Sequence, residues 1–359
     1  MTERWMIYGA TGYTGQLLAS RSLARGLSPV LAGRDEARLR RLAAPLDFEY
    51  RAGRLDDPAE LARLFRGVRL VLNAAGPFAE TAGPLVAACL ATGAHYLDVT
   101  GEPAVFTALR RRDGEARRRG VMLLPGAGFV VVATDCLSAH VARQLPGAVR
   151  LLLWISVPAS YAARAARGSL RTAIRHIGPG VRVRRGGRLT VPSVPLEHDF
   201  DYGWGPRTSL AVDWADIVTA WHTTGIPDIE VYLDLEPSER AALLASRLLA
   251  GWLRSPLGQA LLRAQVQALP QGPPPDDRRR AGCAVVARVE DRAGRCVSAR
   301  LRTPDQYTFT ADAALTVVER VLAGELAPGF QTPARVYGAD FVLGLDGVAR
   351  QDLAGRRDI

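Results

Sequence analysis

Gly9, Gly12 and Gly15 stand three residues apart in IYGATGYTGQLLA (residues 7–19), between an apolar run and a helix-like run. A chain that leaves a strand and enters a helix within so few residues must turn tightly, and few side chains fit such a turn. Gly9 permits the turn off the strand. Gly12 lets backbone approach a pyrophosphate with no Cβ between, and Gly15 lets the helix pack on the strand. Amides at the helix N-terminus, together with its dipole, then favour a bound phosphate. GxxGxxG is a variant of the dinucleotide-binding fingerprint, and its place at a strand–turn–helix junction predicts a dinucleotide site. Thr11, Tyr13 and Thr14 are expected to complete the cradle.

The second strand of this unit ends in LAGRD (residues 31–35). A site for NAD usually carries an acidic residue about 20 residues beyond the glycines, on the ribose 2′-hydroxyl. Arg34 stands at that distance, and a guanidinium forks onto a 2′-phosphate. Asp35 competes for the role, but its position suits the N-cap of the next helix. NADP is the expected cofactor.

Residues 1–135 alternate short apolar strands with amphipathic helices, which predicts an α/β domain of Rossmann type, a parallel sheet wound on both sides. Helices are expected over 13–26 (with Gly26 as C-cap), 35–46, 57–65, 82–93 and 104–120; Asp57, Pro58 and Glu60 have the spacing of a capping box. A glycine loop is expected after the strand at 121–126, with Asp135 as N-cap of a helix leading out. From 136 to about 330 the strands become more polar and alternate irregularly with helices, which predicts a second, α+β substrate or dimerisation domain. Residues 270–280 read as a loop, and 283–303 as a hairpin turning near Gly294. The segment 331–359 is expected to return to the first domain.

Composition narrows the chemistry. The chain has 359 residues, a net charge of +10 and no lysine. That excludes a Schiff-base lysine, a P-loop lysine and the Tyr-x-x-x-Lys pair of short-chain dehydrogenases. Arginine cannot substitute as a proton shuttle, because its pKa stays above roughly 12. Four scattered cysteines without a CxxC pair and five histidines without HExxH spacing argue against a metal site or a disulfide framework. No nucleic-acid motif accompanies the positive charge. The strand pattern begins almost at the first residue, with no signal or transit sequence read in it, and a cytoplasmic protein is expected.

Three further segments fall at the carboxyl rim of the expected sheet, where ligands lie in such folds. NAAGPF supplies Asn73, Ala74, Gly76 and Pro77; LDVTGE supplies Asp98 and Glu102; PGAGFVVVATD supplies Gly128 and Phe129. With GATGYTG, AGR and GAHYLDVTGE, and with GPRTSLAVDWADIVTAWHTTGIPDIEVY and GFQTPARVYGADFVL later in the chain, these segments resemble the saccharopine dehydrogenase-like oxidoreductases. The resemblance is strongest to the branch with trans-acting enoyl reductases and is densest over residues 1–140. It implies reduction by NADPH, a Rossmann domain and a substrate domain that often mediates dimerisation, hence a homodimer. It leaves C=C and C=N substrates both open. The chain departs from the pattern at Val130, where that family usually has Asp, and at Ala133, where it has proline.

Hydride from a nicotinamide leaves the protein to supply orientation and a proton. Glu102 and Asp98 on the rim, and Tyr202 in the second domain, are the candidate catalytic residues. His176 and His222 are further candidates to face the cleft, and Arg171 and Arg207 to clamp an anionic substrate. The stretch 237–268 is apolar and basic. It fits a membrane surface or an acyl chain, although a packing or dimer helix pair broken near Pro256 is the more ordinary expectation, and membrane association is not expected. The chain is therefore expected to reduce a polarised double bond, an α,β-unsaturated carbonyl or thioester. The alternatives are an imine reductase of saccharopine dehydrogenase type and a non-catalytic NADP(H)-sensing protein, the latter kept open by Val130.

Overall fold

A computed structural model describes residues 4–157, 165–175, 180–202 and 205–353. The first part runs β1 (Arg4–Tyr8), α1 (Tyr13–Ala24), β2 (Val30–Gly33), α2 (Glu36–Ala43), β3 (Tyr50–Ala52), α3 (Pro58–Leu64) and β4 (Val68–Asn73). It continues with α4 (Phe78–Thr92), β5 (His95–Asp98), α5 (Pro103–Arg110), α6 (Asp113–Arg118) and β6 (Met122–Leu124). These strands pair in parallel in the order β6-β5-β4-β1-β2-β3, a Rossmann sheet. Both of its faces are covered by helices, so its strands are buried on both sides and read as apolar runs such as Trp5–Tyr8 and Leu70–Leu72.

Local chemistry sets most element ends. Gly26, at φ +68°, closes α1, and the Leu27 amide reaches back to the Ser22 carbonyl at 2.9 Å. Asp35 caps α2 through the Arg38 amide at 3.0 Å. Asp57 caps α3 through the Ala59 and Glu60 amides, but Glu60 does not close the box. Its carboxylate takes the Arg54 amide of the preceding loop instead. The helix expected over 104–120 is divided into α5 and α6.

The second part contains α7 (Phe129–Gln144), β7 (Arg150–Ser156), α8 (Arg167–Arg175), β8 (Val183–Arg185), β9 (Arg188–Thr190), β10 (Glu197–Asp201), β11 (Pro206–Ala211) and α9 (Asp216–Thr224). It goes on through β12 (Asp228–Asp234), α10 (Pro237–Leu248), α11 (Ala250–Leu253), α12 (Pro256–Ala268) and α13 (Pro275–Arg280), so the expected loop at 270–280 holds a short helix. β13 (Gly282–Glu290) and β14 (Cys296–Pro304) form the expected hairpin, with Gly294 at φ +75°. α14 (Gln306–Leu322), β15 (Gly329–Phe330), α15 (Pro333–Tyr337) and β16 (Ala349–Leu353) complete the order. The second sheet has nine strands, with the path β10-β11-β12-β7-β13-β14-β16 and with β8 and β9 beside it. β7 alternates cleanly: Leu151, Leu153 and Ile155 join the core shared with the first sheet, while Leu152 and Trp154 face a second cluster with Phe200, Tyr202 and Tyr232.

Two features depart from the sequence expectation. The carboxyl-terminal segment divides: Gly329–Phe330 joins the first sheet beside β6, while Ala349–Leu353, within the segment expected to return there, pairs with β14 in the second. And Asp135 is no N-cap. Gly126, at φ +77°, makes the turn after β6, and Gly128 starts a helix at Phe129 despite three β-branched valines. Asp135 lies within α7, wholly buried, where it accepts the Ala334 amide at 2.8 Å and the Thr223 hydroxyl at 2.5 Å. It ties α7 to α9 and α15.

Burial pushes the Asp135 carboxyl up to about 6, against about 3.9 in an unfolded chain. The fold favours its neutral form, so its contribution is greatest below about pH 4 and is lost as pH rises through about 6. Asp135→Asn keeps an acceptor for Ala334 and removes the ionisation. Denaturant unfolding from pH 4 to 7 should therefore show the variant gaining on the native protein as pH rises; a constant difference would refute the assignment.

Candidate active site

Between the carboxyl rim of the first sheet and the second domain lies a cleft of about 840 Å³. Its floor is the glycine turn. A Cβ on Gly9 would come within 2.7 Å of the Ala75 backbone and side chain, and one on Gly15 would overlap the Gly9 carbonyl oxygen. Gly9 also sits at φ +86°. These contacts bring β1, β4 and α1 together so closely that only hydrogen fits. Gly12 is the N-cap of α1 and brings no side chain to its first amides. Those amides, the dipole of a twelve-residue helix and an approach free of Cβ atoms fit a dinucleotide diphosphate. Thr11, Gly12, Tyr13 and Thr14 all line the cleft, whereas Gly15 acts from behind, through packing.

Tyr13 has a further role. Its hydroxyl donates to the Pro273 carbonyl at 2.5 Å and accepts from Arg278 Nη1 at 2.5 Å, and its ring meets Tyr307 edge-on at 5.1 Å. Gly272 packs on the Tyr13 ring, where a Cβ would lie 2.6 Å from ring carbon. The second domain thus grips the phosphate-binding turn itself.

At the end of β2, Gly33 and Arg34 line the cleft, and Arg38 lines it from the first turns of α2 while donating to the Thr11 carbonyl at 3.3 Å. Arg38 was not singled out from the sequence; its spacing of four from Arg34, on a helix start, is the signal that points to it. The two guanidiniums make this the cationic end of the cleft, where a 2′-phosphate fits.

The opposite end is formed by the loops after β4, β5 and β6. Ala74 and Gly76 line it, and the Gly76–Pro77 peptide bond is cis. Asn73, expected to meet the cofactor, is instead wholly buried. Its Oδ1 takes the Ala75 amide at 2.9 Å, and its Nδ2 donates to Thr81 Oγ1 and to the Tyr96 hydroxyl. Tyr96 in turn donates to Asp98 Oδ2 at 2.9 Å, and Asp98 Oδ1 takes the Thr100 and Gly126 amides. One polar chain beneath the rim thus joins the ends of β4, β5 and β6. Burial pushes the Asp98 carboxyl up to about 7. Asp98 nevertheless does not line the cleft, and its bonds hold backbone rather than substrate.

Glu102 is also buried. Its Oε1 accepts from the Phe78 amide at 2.8 Å and its Oε2 from the Ala79 amide at 3.1 Å, capping α4, because both donors open toward the β5 loop. Thr172 of α8 reaches the same Oε1 at 3.3 Å and does line the cleft. Glu102 therefore meets the cleft through Thr172. Gly128 packs on Thr310, whose hydroxyl takes the Phe129 amide at 3.0 Å. Phe129 and Val130 line the cleft. At Val130, Cγ1 packs against Gly101, and the carbonyl accepts from Trp214 Nε1 at 3.3 Å.

The second-domain candidates sort unevenly. Tyr202 lies on the far face of the second sheet, wholly buried, with its hydroxyl 2.7 Å from Ser209. It is remote from the cleft because the chain alternation at 200 and 202 points both side chains into the cluster around Trp154. His222 packs on Phe330 at 5.0 Å, burial lowers its pKa to about 4, and it does not line the cleft. Arg207 is committed to Asp234 and Glu236. Arg171 does line the cleft, bonded to Gln267, and His176 falls outside the described residues. Thr172, Trp214, Tyr307 and Thr310 line the cleft and were missed from sequence, since each belongs to an element brought to the rim only by tertiary folding.

A Rossmann sheet with a phosphate cradle, a cationic adenosine end and a second domain closing the cleft defines a nicotinamide-dinucleotide-binding protein. Comparison with known proteins points the same way for the first domain. Residues 5–124 match the saccharopine dehydrogenase NADP binding domain, and in that part the chain resembles the saccharopine dehydrogenase-like oxidoreductases. A trans-acting enoyl reductase of Mycobacterium leprae is 32% identical over 138 residues, 36% of this chain and 33% of that protein. A saccharopine dehydrogenase-like oxidoreductase of Mus musculus is 26% identical over 165 residues, 40% of this chain and 38% of that protein. The matches thus span little more than a third of these relatives' length. The fold extends further: apo saccharopine dehydrogenase (L-Glu forming) from Saccharomyces cerevisiae superposes with a TM-score of 0.64, covering 98% of this chain and 100% of that one, at 11% identity.

Arg34→Ala tests the cationic end. A charge-assisted fork contributes roughly 1.5–3 kcal/mol, so NADPH affinity by calorimetry should fall by roughly 10- to 100-fold while NADH affinity changes by less than about threefold. Equal losses for both would remove Arg34 from the 2′-phosphate.

Proposed function

We propose that the chain is an NADPH-dependent reductase of a polarised carbon–carbon double bond, an α,β-unsaturated carbonyl or thioester. One observation carries the reading: away from Arg34 the cleft has an apolar stretch of wall, and the carboxylate beside it, Asp213, is held by Arg182 at 2.9 Å. Phe78, Val99, Phe129 and Val130 form that stretch from the first domain, and Val212 and Trp214 from the second. Such a wall receives an unsaturated hydrocarbon and excludes water. The bound cofactor supplies a hydride from its reduced nicotinamide. The substrate would take that hydride at the β-carbon and then a proton from solvent at the α-carbon, with negative charge on its carbonyl oxygen between the two events.

Thr172 is the hydroxyl placed to meet that charge. Its contact with Glu102 is long, at 3.3 Å, and can be exchanged for a substrate oxygen. Glu102 acts behind it as a positioning residue: by capping α4 and reaching α8 it fixes the distance between the domains at this point. Asp98 acts in the same way on the turn at Gly126. A second reading rests on Arg171 and Arg167, which line the cleft and suit the carboxylate of an amino acid in an imine substrate.

Following NADPH absorbance with enoyl thioesters, enones and amine–carbonyl pairs separates these readings. Turnover of enoyl substrates alone supports the first, turnover of amine–carbonyl pairs alone supports the second, and tight NADPH binding without turnover of any refutes both. For the oxygen donor, Thr172→Val should lower kcat roughly 10²-fold, the usual effect of removing one such donor. Thr172→Ser should restore most of it, with NADPH affinity unchanged in both; a serine variant as slow as the valine variant would exclude the role.

A further inference from the structure

The outer face of α10–α12 has no place in the reductase reading and is unusual in two respects. First, large apolar side chains are exposed there together: Leu249 at 56%, Trp252 at 52%, Leu257 at 64% and Leu261 at 47%. Leu257 and Leu261 stand four apart on α12 and share one helix face. Trp252 and Leu249 join them across a rigid corner, where Ser255 caps α12 through the Gly258 amide at 3.1 Å, Gln259 holds the Leu253 carbonyl at 2.8 Å and Gly258 packs on the Trp252 carbonyl. Second, the charge is of one sign. Residues 240–275 contain Arg240, Arg247, Arg254 and Arg263 and no carboxylate, and of these Arg240 is paired with Glu197 of β10 at 3.5 Å. Arg254 and Arg263 are exposed beside the apolar side chains.

We infer that this face docks on an anionic lipid bilayer, with Trp252 and the leucines entering the headgroup boundary and the arginines meeting lipid phosphates. An apolar strip with an indole and a cationic border is the pattern of helices that lie in a membrane interface. A second copy of the chain is the poorer occupant. A twofold contact sets the same patch against itself, and this patch would bring arginines toward arginines with no carboxylate among residues 240–275 to pair them. Insertion is superficial, since no helix among the described residues is long and apolar enough to cross a membrane. The inner side of the same layer is a wall of the cleft: Gln267 and Gln271 line it, Arg171 bonds Gln267, and Arg167 donates to the Leu269 carbonyl. Docking therefore sets the cleft wall beside the lipid surface, and it does not depend on which substrate is reduced.

Flotation of the full chain with phosphatidylglycerol–phosphatidylcholine vesicles and with phosphatidylcholine vesicles tests this. The chain should float with the anionic vesicles, several-fold less with the neutral ones, and less again in high salt. Brominated acyl chains should quench a fluorescence component that is absent from Trp252→Phe. The double variant Leu257→Glu, Leu261→Glu should lose vesicle binding by at least roughly tenfold while retaining native NADPH affinity, which verifies its fold. Failure to float with either vesicle, flotation unchanged by the double variant, or a lipid-free dimer in light scattering that the double variant dissociates would each overturn the inference, the last in favour of a self-interface.

Discussion

The contact between Gly15 and the Gly9 carbonyl is the constraint from which the rest of the molecule follows. It seats α1 directly against the turn off β1, at a separation no Cβ allows. The first-turn amides of α1 then open over the sheet rim between β1 and β4, the neighbours at which the strand order reverses. The same seating presents Tyr13 outward, and Tyr13 is where the second domain takes hold, through Pro273, Arg278 and the ring of Tyr307. A phosphate site and a domain contact thus depend on one turn. Ligand binding there is expected to be felt on both sides of the cleft, because Tyr13, on the turn that would receive the phosphate, is held by the second domain.

The two sheets are not independent bodies joined by a linker. α7 leaves the rim of the first sheet at Gly128 and packs on β13 and β14 of the second, and one continuous apolar core runs from Met6 and Ile7 through Val132 and Leu137 to Val285 and Leu301. Burying a core of this extent resists domain separation far more than polar contacts at a cleft do. Asp135, in the middle of α7, then collects α9 and the carboxyl-terminal return with two hydrogen bonds. A buried carboxylate is costly unless satisfied, and here the satisfying donors are the elements that close the structure.

Much of the first domain was legible because its determinants are local. Gly9, Gly12 and Gly15 act within one turn, Asp35 and Asp57 cap the helices that follow them, and strands of continuous apolar residues declare a doubly covered sheet. What escaped was set by distant packing. Val130, Val131 and Val132 favour a strand by intrinsic preference, yet α14 and the second sheet bury them as a helix, so Asp135 was misread as its cap. Tyr202 offered a polar handle, but which face of β10 meets the cleft is decided by pairing with β11, far beyond the reach of a local pattern. Thr172 carries no motif, and Trp214 lies in the resembling segment 205–232 without a sign of its place; only the docking of α8 and of the loop before α9 brings them to the rim.

Val130 shows how such packing bears on chemistry. Resemblance to the family leads one to expect Asp here, beside the nicotinamide end. In this chain the residue is half-buried on the cleft wall, with Cγ1 against Gly101 and its backbone carbonyl accepting from Trp214 Nε1. A carboxylate there would place charge in an otherwise apolar stretch of wall, at the cost of partial desolvation. Valine avoids the cost and extends the apolar wall from Val99 to Val212. The charged groups of the cleft stand around that stretch, with Arg34 and Arg38 after β2, Arg167 and Arg171 on α8, and Asp213, Asp234 and Glu239 on the second-domain side. A ligand that matches the apolar stretch presents an uncharged surface to it, and its anionic groups meet the arginines.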